Sequence, residues 1–199
     1  MFKNYIKFAI RNLAFQKKQT ALLVFGLALG LLTCFFIAMW VRSELNYDQF
    51  HTNGDRIYRI AEKVWIDGSG EYCASAPVAL GPTLLSELPH LLEKQTRVMK
   101  LRASSYLLEN GADRRFNEAN LYFADPGVFN MFSFKLHDGD PDKVLLQPNS
   151  VVLTEPIARK YFGDENPIGK TLRFEHNRDL TVTGVAASVP TESHWHFDV

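Results

Sequence analysis

The feature that most constrains this chain is an uncharged apolar run of 22 residues, TALLVFGLALGLLTCFFIAMWV, from Thr20 to Val41. As an α-helix, this run spans about 33 Å at roughly 1.5 Å per residue, enough to cross a hydrocarbon layer roughly 30 Å thick. A buried core helix rarely runs so long without a polar face. A cleaved signal peptide is disfavoured, because its apolar region is usually ~7 to 15 residues and no small-residue cleavage site follows Trp40. The run therefore predicts an uncleaved transmembrane helix over 20–41.

The charged residues are unevenly distributed along the chain, and their distribution predicts how the chain is oriented in the membrane. Residues 1–41 contain no acid and five cations: Lys3, Lys7, Arg11, Lys17 and Lys18. Residues 42–199 hold the other 17 Lys and Arg and all 22 Asp and Glu, which gives this segment a net charge of −5. By the positive-inside rule, the N-terminus is cytoplasmic and residues 43 onward lie outside. The mildly acidic outer segment has no basic stripe, so we expect no nucleic-acid partner.

Two features suggest how the N-terminal region meets lipid and other helices. Residues 1–19 predict an amphipathic helix on the inner leaflet, since apolar residues recur at steps of three and four; a basic tail with accidental periodicity is the alternative. Within the span, Gly26 and Gly30 form a GxxxG pair, which lets another helix approach closely. We therefore predict that these two glycines pack against transmembrane partners.

The outer segment, 42–199, predicts a mixed domain of the α+β class. We expect strands over 56–66, 96–108, 114–123, 151–153, 171–174 and 180–185. Short helices are expected over 78–88, 125–131 and 155–162, the last capped by Thr154 and ended by Gly163. A hairpin turn is expected at Asn110 and Gly111. Partly consecutive strands favour α+β over a doubly wound fold.

Two segments resemble ligand-binding loops but differ from them at positions that ligand binding requires. Between Gly163 and Gly169, before Lys170 and Thr171, there are five residues where a nucleotide P-loop has four, and Pro167 removes one amide donor. The loop from Asp138 has Lys143 and Asn149 at the sixth and twelfth positions, where a calcium-binding EF-hand has Gly and Glu. We predict neither a nucleotide site nor a calcium site.

His194, His196 and Asp198 could face the same way on an extended strand and ligate a metal. With only these three candidate ligands close together, we predict no metal site and assign no role to the two histidines. The glycine–serine elbow, HExxH helix and CxxC pair that mark common enzyme classes do not occur in the sequence. We therefore predict no catalytic or cofactor-binding residues.

Several motifs, taken in order, resemble one protein family. FKNYIKFAIRNL precedes the span and SELNYDQFHTNGDRIYRI follows it; VVLTEPIARKYFGDENPIGKTL, DLTVTGVAASVP and SHWHFDV lie further along. This order resembles MacB-type, FtsX-like ABC transporter permeases from Met1 to Val199. The resemblance implies a first transmembrane helix followed by a MacB-like periplasmic core domain in the bacterial inner membrane. It also implies an FtsX-like region with three more helices, so we expect the chain to be a truncated or N-terminal part of a permease.

The resemblance gives expectations for particular residues. The family-motif loop is expected to end a helix and begin a strand; it comprises Asp164, Asn166, Pro167, Gly169 and Lys170. Its Gly and Pro are expected to meet backbone requirements and not to bind a ligand. A second group just past the span is expected either to fasten the outer domain to the helix or to be ordinary core and surface residues: Tyr47, Phe50, Arg56, Tyr58 and Arg59.

The function implied by the resemblance is that of an ABC transporter permease subunit of the mechanotransmission type. Its expected partners are a separate cytoplasmic ABC ATPase, a second permease copy or homologue, membrane lipid and envelope proteins. The alternative is a single-pass anchored module that binds or senses an extracytoplasmic ligand. An anchored envelope hydrolase is a third and weaker alternative, because nothing in the sequence singles out a pair of catalytic carboxylates.

Overall fold

The computed structural model describes residues 2–66, 68–100 and 103–199. These residues divide into two compact units, one ending at Tyr47 and the other running from Asp48 to Val199.

The first unit is helical. Helix α1 covers Phe2–Phe15, and helix α2 covers Lys17–Leu45 with none of its residues buried. By length and composition, α2 is able to cross a membrane. It contains the predicted span and continues beyond both ends, since the flanking Lys, Arg and Glu residues are good helix formers. In α1, Tyr5, Ile6 and Leu13 are exposed.

Part of the amphipathic prediction for residues 1–19 cannot be compared with α1. Met1 lies outside the described residues, as do the side chains of the predicted apolar positions Phe2, Ala9, Ile10 and Ala14.

The second unit combines short helices with strands. Its helices are α3 (Leu80–Glu87), α4 (Val128–Met131) and α5 (Glu155–Phe162), and a 3-10 turn covers Gly54–Arg56. Its strands are β1 (Glu62–Ile66), β2 (Ser69–Cys73), β3 (Val98–Lys100), β4 (Tyr106–Asn110), β5 (Arg114–Glu118), β6 (Tyr122–Ala124), β7 (Leu136–Asp138), β8 (Ser150–Thr154), β9 (Thr171–Phe174) and β10 (Arg178–Ala186). This composition confirms the predicted α+β class.

Strand β10 organises the main sheet. It pairs antiparallel with β9 along its first half, parallel with β8 from Thr181 onward, and antiparallel with β7 at its end. The sheet order is β5-β4-β9-β10-β7, and β8 adds a sixth strand beside β10. Two further antiparallel pairs, β1–β2 and β3–β6, stand apart from it.

Helix α5 forms the core together with the main sheet. Its buried residues Ile157, Ala158, Tyr161 and Phe162 recur at helical spacing, so they share one face. They join a buried cluster that also contains Leu108, Leu121, Val151, Leu153, Leu172, Val182, Val185 and Val199. Helix and sheet thereby bury their apolar faces against each other, the main source of stability in such a unit.

Three strand predictions were too long. Residues 56–61 form no strand, since β1 pairs with β2 only over 62–66. The predicted strand 96–108 is divided between β3 and β4, and 114–123 is divided between β5 and β6. Each divided run changes partner midway, because β3 pairs with β6 while β4 and β5 pair in the main sheet. Leu101 and Arg102, within the first of these runs, lie outside the described residues.

Thr154 occupies the predicted N-cap position of α5, but its side chain does not cap the helix in the predicted way. Thr154 has the extended backbone of a cap residue, but its side chain makes no capping hydrogen bond. Its hydroxyl instead donates to the carbonyl oxygen of Asp198 at 3.3 Å. Thr154 therefore ties the start of α5 to the last residues of the chain.

Candidate functional site

The two glycines predicted to pack against other helices lie in the apolar part of α2. An added Cβ at Gly26 or Gly30 meets no atom within 4 Å. Nearby, the Thr33 hydroxyl donates to the Leu29 carbonyl at 2.9 Å, so this polar group is satisfied within the helix. The small-residue surface at Gly26 and Gly30 is therefore open to a neighbouring helix.

The family-motif loop connects the end of α5 to the start of β9. Gly163 ends the helix with a φ of +67°, and its amide donates to the Arg159 carbonyl at 2.8 Å. The Asn166 side chain accepts from the Ile168 amide at 2.9 Å, which stabilises a local turn. Gly169 has a φ of +79° and donates to the Val182 carbonyl at 2.8 Å.

The polar groups of this loop bind one another and the neighbouring strand. The Lys170 amide donates to the Pro167 carbonyl at 3.0 Å, and the Lys170 carbonyl accepts from Val182 at 2.9 Å. The Lys170 ammonium forms an ion pair with Glu165 and lies over the Phe162 ring. Asp164 is exposed. In a phosphate-binding loop, free backbone amides point at the ligand. In this loop, the amides of Ile168 and Lys170 instead donate to acceptors within the loop itself.

A second group of residues joins the first residues of the outer unit to its last ones. We call it the anchor cluster; it comprises Asp48, Phe50, His51, Phe132, Phe134, Trp195 and Phe197. Asp48 donates its amide to the Glu192 carbonyl at 2.8 Å, and its carboxylate accepts from the His194 amide at 3.1 Å. The His194 Nδ1 atom lies 2.6 Å from the same carboxylate. Asp48 has a φ of +57°, which Asp tolerates better than most residues.

His51 connects the anchor cluster to the segment between α4 and β7. Its Nδ1 atom accepts a hydrogen bond from the Ser133 amide at 3.1 Å, which requires the neutral ring with its proton on Nε2. The Thr52 amide donates to the Ser133 hydroxyl at 2.9 Å. Burial lowers the pKa of His51 below its ordinary value of 6.5, and the nearby negative charge of Asp48 partly opposes this shift.

Aromatic contacts form the interior of the anchor cluster. The Trp195 ring centroid lies 4.4 Å from Phe132 and 6.2 Å from Phe134. Phe134 also meets Phe50 at 5.7 Å and Phe197 at 5.1 Å, the latter edge to face. Such pairs add roughly 0.5–1.5 kcal/mol each beyond simple burial. The residues that follow α2 in the chain are therefore held by aromatic contacts as well as hydrogen bonds.

The five residues expected to fasten the outer domain to the helix lie in different environments. Phe50 is in the anchor cluster, whereas Arg56 forms an ion pair with Glu93 at 2.7 Å. Arg59 donates to the Ala74 carbonyl at 3.1 Å, and Tyr58 is 84% exposed. Tyr47 belongs to the helical unit. The structure thus brings one of the five, Phe50, into the anchor cluster.

Two of the three residues considered as metal ligands have separate protein partners. His194 binds Asp48, and the Asp198 carboxylate accepts from the Asn120 side chain at 3.0 Å. Among the described residues, no three His, Cys, Asp or Glu side chains gather as a metal site requires. The pairing of His194 with Asp48 was not predicted from the sequence; the available signal was the high aromatic and histidine content of YDQFHT and SHWHFDV.

Comparisons with known proteins match this architecture. A family model described as the MacB-like periplasmic core domain matches residues 20–198. A solved domain of a candidate permease protein from Porphyromonas gingivalis is 22% identical, with a TM-score of 0.54 over 65% of this chain and 54% of that chain. This similarity shows the fold. A search among curated proteins finds no match.

Two further solved structures share shorter regions with the chain. The periplasmic region of MacB from Actinobacillus actinomycetemcomitans is 31% identical, with a TM-score of 0.38 over 52% of this chain and 50% of that chain. The extracellular domain of the noncanonic ABC-type transporter YknZ from Gram-positive bacteria is 18% identical, with a TM-score of 0.36 over 45% and 48%. The chain spans about half the length of these solved structures.

Proposed function

Since the chain belongs to the MacB-like periplasmic core domain family of ABC transporter permeases, we propose that it is the N-terminal portion of a permease subunit of the mechanotransmission type. A separate cytoplasmic ABC ATPase hydrolyses ATP, and the resulting movement of the membrane helices changes the conformation of the periplasmic domain. The chain contributes contacts and shape change to this process and performs no chemistry of its own.

The observation that carries this proposal is the family match over 20–198, which includes both the apolar helix and the outer unit. The anchor cluster supports it, since it begins just after α2 in the chain: Asp48 binds Glu192 and His194, while the Phe50 and His51 rings contact Phe134. A segment held in this way transmits force because its hydrogen bonds and aromatic contacts resist local unfolding. We therefore assign the anchor cluster the role of passing helix movement to the periplasmic domain.

The proposed arrangement has a cytoplasmic helix over 1–19, a transmembrane helix over 20–41 in the bacterial inner membrane, and the periplasmic domain over 42–199. The five N-terminal cations support a cytoplasmic N-terminus. Gly26 and Gly30 meet another membrane helix, from the same permease or from a second copy or homologue. The five residues of the family-motif loop have structural roles in joining α5, β9 and β10.

The experiment that tests this proposal is co-expression of each ABC ATPase of the same cell with the complete permease and, separately, with this chain alone, followed by purification in lipid nanodiscs. We expect the complete permease to retain one ATPase and to change its turnover. We expect this chain alone to retain that ATPase poorly, because the FtsX-like region is expected to supply most of the cytoplasmic contact surface. Gly26→Ile with Gly30→Ile is expected to weaken assembly with other membrane helices. Ala28→Ile, which also enlarges a small residue but on another face of α2, is the control.

Coupling through the anchor cluster has a separate test. A fluorophore attached to Cys introduced at Ala112 in the β4–β5 turn reports on the periplasmic domain. We expect ATP to change its signal in the assembled complex, and Trp195→Ala to abolish this change while leaving the ATPase bound. Tyr72→Ala, at an aromatic residue that is 79% exposed, serves as the control.

Two results would contradict the proposal: that the complete permease neither retains an ATPase nor alters its turnover, or that Trp195→Ala leaves the ATP-dependent signal unchanged. The first result would favour the alternative function, an anchored module that binds or senses an extracytoplasmic ligand.

A further inference from the structure

The outer unit contains a cavity of about 280 Å³ beside the sheet. Residues of β3, β6, β8, β9 and β10 line it, together with Phe134, Trp195 and Phe197 of the anchor cluster. Most of the lining side chains are aliphatic or aromatic. An apolar space with a few polar groups is typical of sites that bind small molecules.

One polar atom at this cavity has no hydrogen-bond partner among the described residues. The Ser150 hydroxyl oxygen is buried and makes no hydrogen bond with any described residue, although Ser150 lines the cavity. An unsatisfied buried hydroxyl is costly, because it has lost its hydrogen bonds to water. A bound molecule with a polar group at this end removes that cost.

A positively charged side chain lies at the cavity. Among the described residues that line it, Arg178 has the one charged side chain, and no carboxylate of the described residues forms an ion pair with it. Arg178 is exposed and shares strand β10 with Leu180, which also lines the cavity. A guanidinium beside an apolar space complements a molecule that has a carboxylate attached to an apolar body.

The size of the cavity further limits the kind of ligand that it can hold. Its volume is near the lower end of the range of about 300–1,000 Å³ for ligand pockets, which suits a single acyl chain better than a two-chain phospholipid. We propose that this cavity binds a free long-chain carboxylate, with the carboxylate at Arg178, the acyl chain among the apolar side chains and the Ser150 hydroxyl in contact with the ligand. This inference goes beyond the proposed transport role and does not depend on the ATPase.

Trp195 provides a direct readout, because it lines the cavity. The full chain in nanodiscs, with Trp40→Phe and Trp65→Phe, retains Trp195 as its sole tryptophan. The probe is 11-bromoundecanoate, whose bromine quenches tryptophan fluorescence at short range. We expect saturable quenching that unlabelled undecanoate reverses.

Three comparisons test the proposed contacts. Arg178→Gln is expected to weaken binding of the acid about tenfold or more, since a charge-assisted contact is lost. The same substitution is expected to leave binding of uncharged 11-bromoundecanol unchanged. Arg173→Gln is the matched control, because Arg173 is also in the sheet but does not line this cavity. Leu180→Phe, which fills the space, is expected to weaken binding of both probes.

Several outcomes would overturn the proposal. Equal affinity for the acid and the alcohol, or equal effects of Arg178→Gln and Arg173→Gln, would show that no carboxylate binds at Arg178. Quenching by brominated phosphatidylcholine in the nanodisc, without competition by undecanoate, would identify membrane lipid as the occupant. Absence of saturable quenching together with concentration-dependent dimerisation would show that a second copy covers the cavity. In each of these cases the proposed permease function would still be testable by ATPase association.

Discussion

At the scale of single residues, His51 makes the stability of the outer unit depend on pH. Its Nδ1 atom must be unprotonated to accept from the Ser133 amide, and burial lowers its pKa below the ordinary 6.5. The folded protein therefore binds fewer protons at His51 than the unfolded chain as pH falls below about 6.5. Lowering the pH favours the state that binds more protons, which here is the unfolded chain. The free energy of unfolding therefore decreases toward low pH, and the effect disappears above the pKa of the histidine in the unfolded chain.

The first prediction is that the thermal midpoint of the full chain falls between pH 7.5 and pH 5.5, in part because of His51. Asn places an acceptor oxygen near the position of Nδ1 without a titratable group, so His51→Asn should flatten this pH dependence. Differential scanning fluorimetry across the pH range measures it. His90→Asn, at an exposed histidine, should leave the slope as it is; a slope unchanged by His51→Asn would remove His51 as its source.

Tyr161 is a second residue whose chemistry depends on burial. Its side chain is fully buried, and its hydroxyl donates to the Glu118 carboxylate at 2.8 Å. Lys160 contacts the same carboxylate oxygen at 2.8 Å. Burial, followed by the hydrogen bond and charge of Glu118, strongly raises the pKa of Tyr161, so the hydroxyl remains protonated and available as a donor.

The second prediction is that Tyr161→Phe lowers the free energy of unfolding by roughly 1–3 kcal/mol, because the buried Glu118 carboxylate loses a donor. Urea unfolding at pH 7 gives this value. Tyr72→Phe, which removes a hydroxyl from an exposed ring, is the control and should change stability by less than about 0.5 kcal/mol. A similar effect in both variants would show that the Tyr161 hydroxyl adds no specific stability.

At the scale of elements, the connection from α5 to β9 is fixed by backbone geometry. Gly163 and Gly169 both have positive φ, and an added Cβ at Gly169 meets no atom within 4 Å. The requirement for glycine at 169 therefore comes from the backbone conformation and not from crowding.

The third prediction is that Gly169→Ala destabilises the chain by about 1–2 kcal/mol, the usual cost of a left-handed backbone for a residue with a Cβ. Gly54→Ala is the matched control, since its added Cβ also meets open space and its φ lies outside the positive region. Chemical denaturation of both variants makes the comparison. Equal stability of the two would mean that the loop relaxes to another conformation.

At the scale of the whole molecule, the separation of charge along the sequence leads to a prediction of topology. The N-terminal segment carries five cations without an acid, and the outer segment is net negative. Positive residues flanking a membrane helix tend to remain in the cytoplasm, so we expect the outer unit to be exported.

The fourth prediction concerns labelling in intact spheroplasts of cells producing the full chain with Cys34→Ser and Cys73→Ser. A Cys introduced at Ala112, an exposed position in the β4–β5 turn, should react with a membrane-impermeant thiol reagent. A Cys at Lys17 should react only after the membrane is broken. The reverse pattern would invert the proposed orientation.

Local features could be predicted from the sequence with good accuracy. The helices at 80–87, 128–131 and 155–162 and the turn after Asn110 all follow from adjacent residues. The predicted strand runs were too long, because β-branched and aromatic residues favour extended backbone without specifying a partner. Residues 57–61 illustrate this limit: they carry Ile57, Tyr58 and Ile60 but form no strand.

The apolar helix, the charge asymmetry and the family could all be recognised from the sequence, since each depends on residues in one continuous stretch or on their order. The anchor cluster and the cavity exist only in the folded structure. Asp48 and His194 are 146 positions apart, and the lining of the cavity comes from five strands. No local pattern encodes such contacts, because they arise when the sheet and α5 bury their apolar faces and thereby bring distant side chains together.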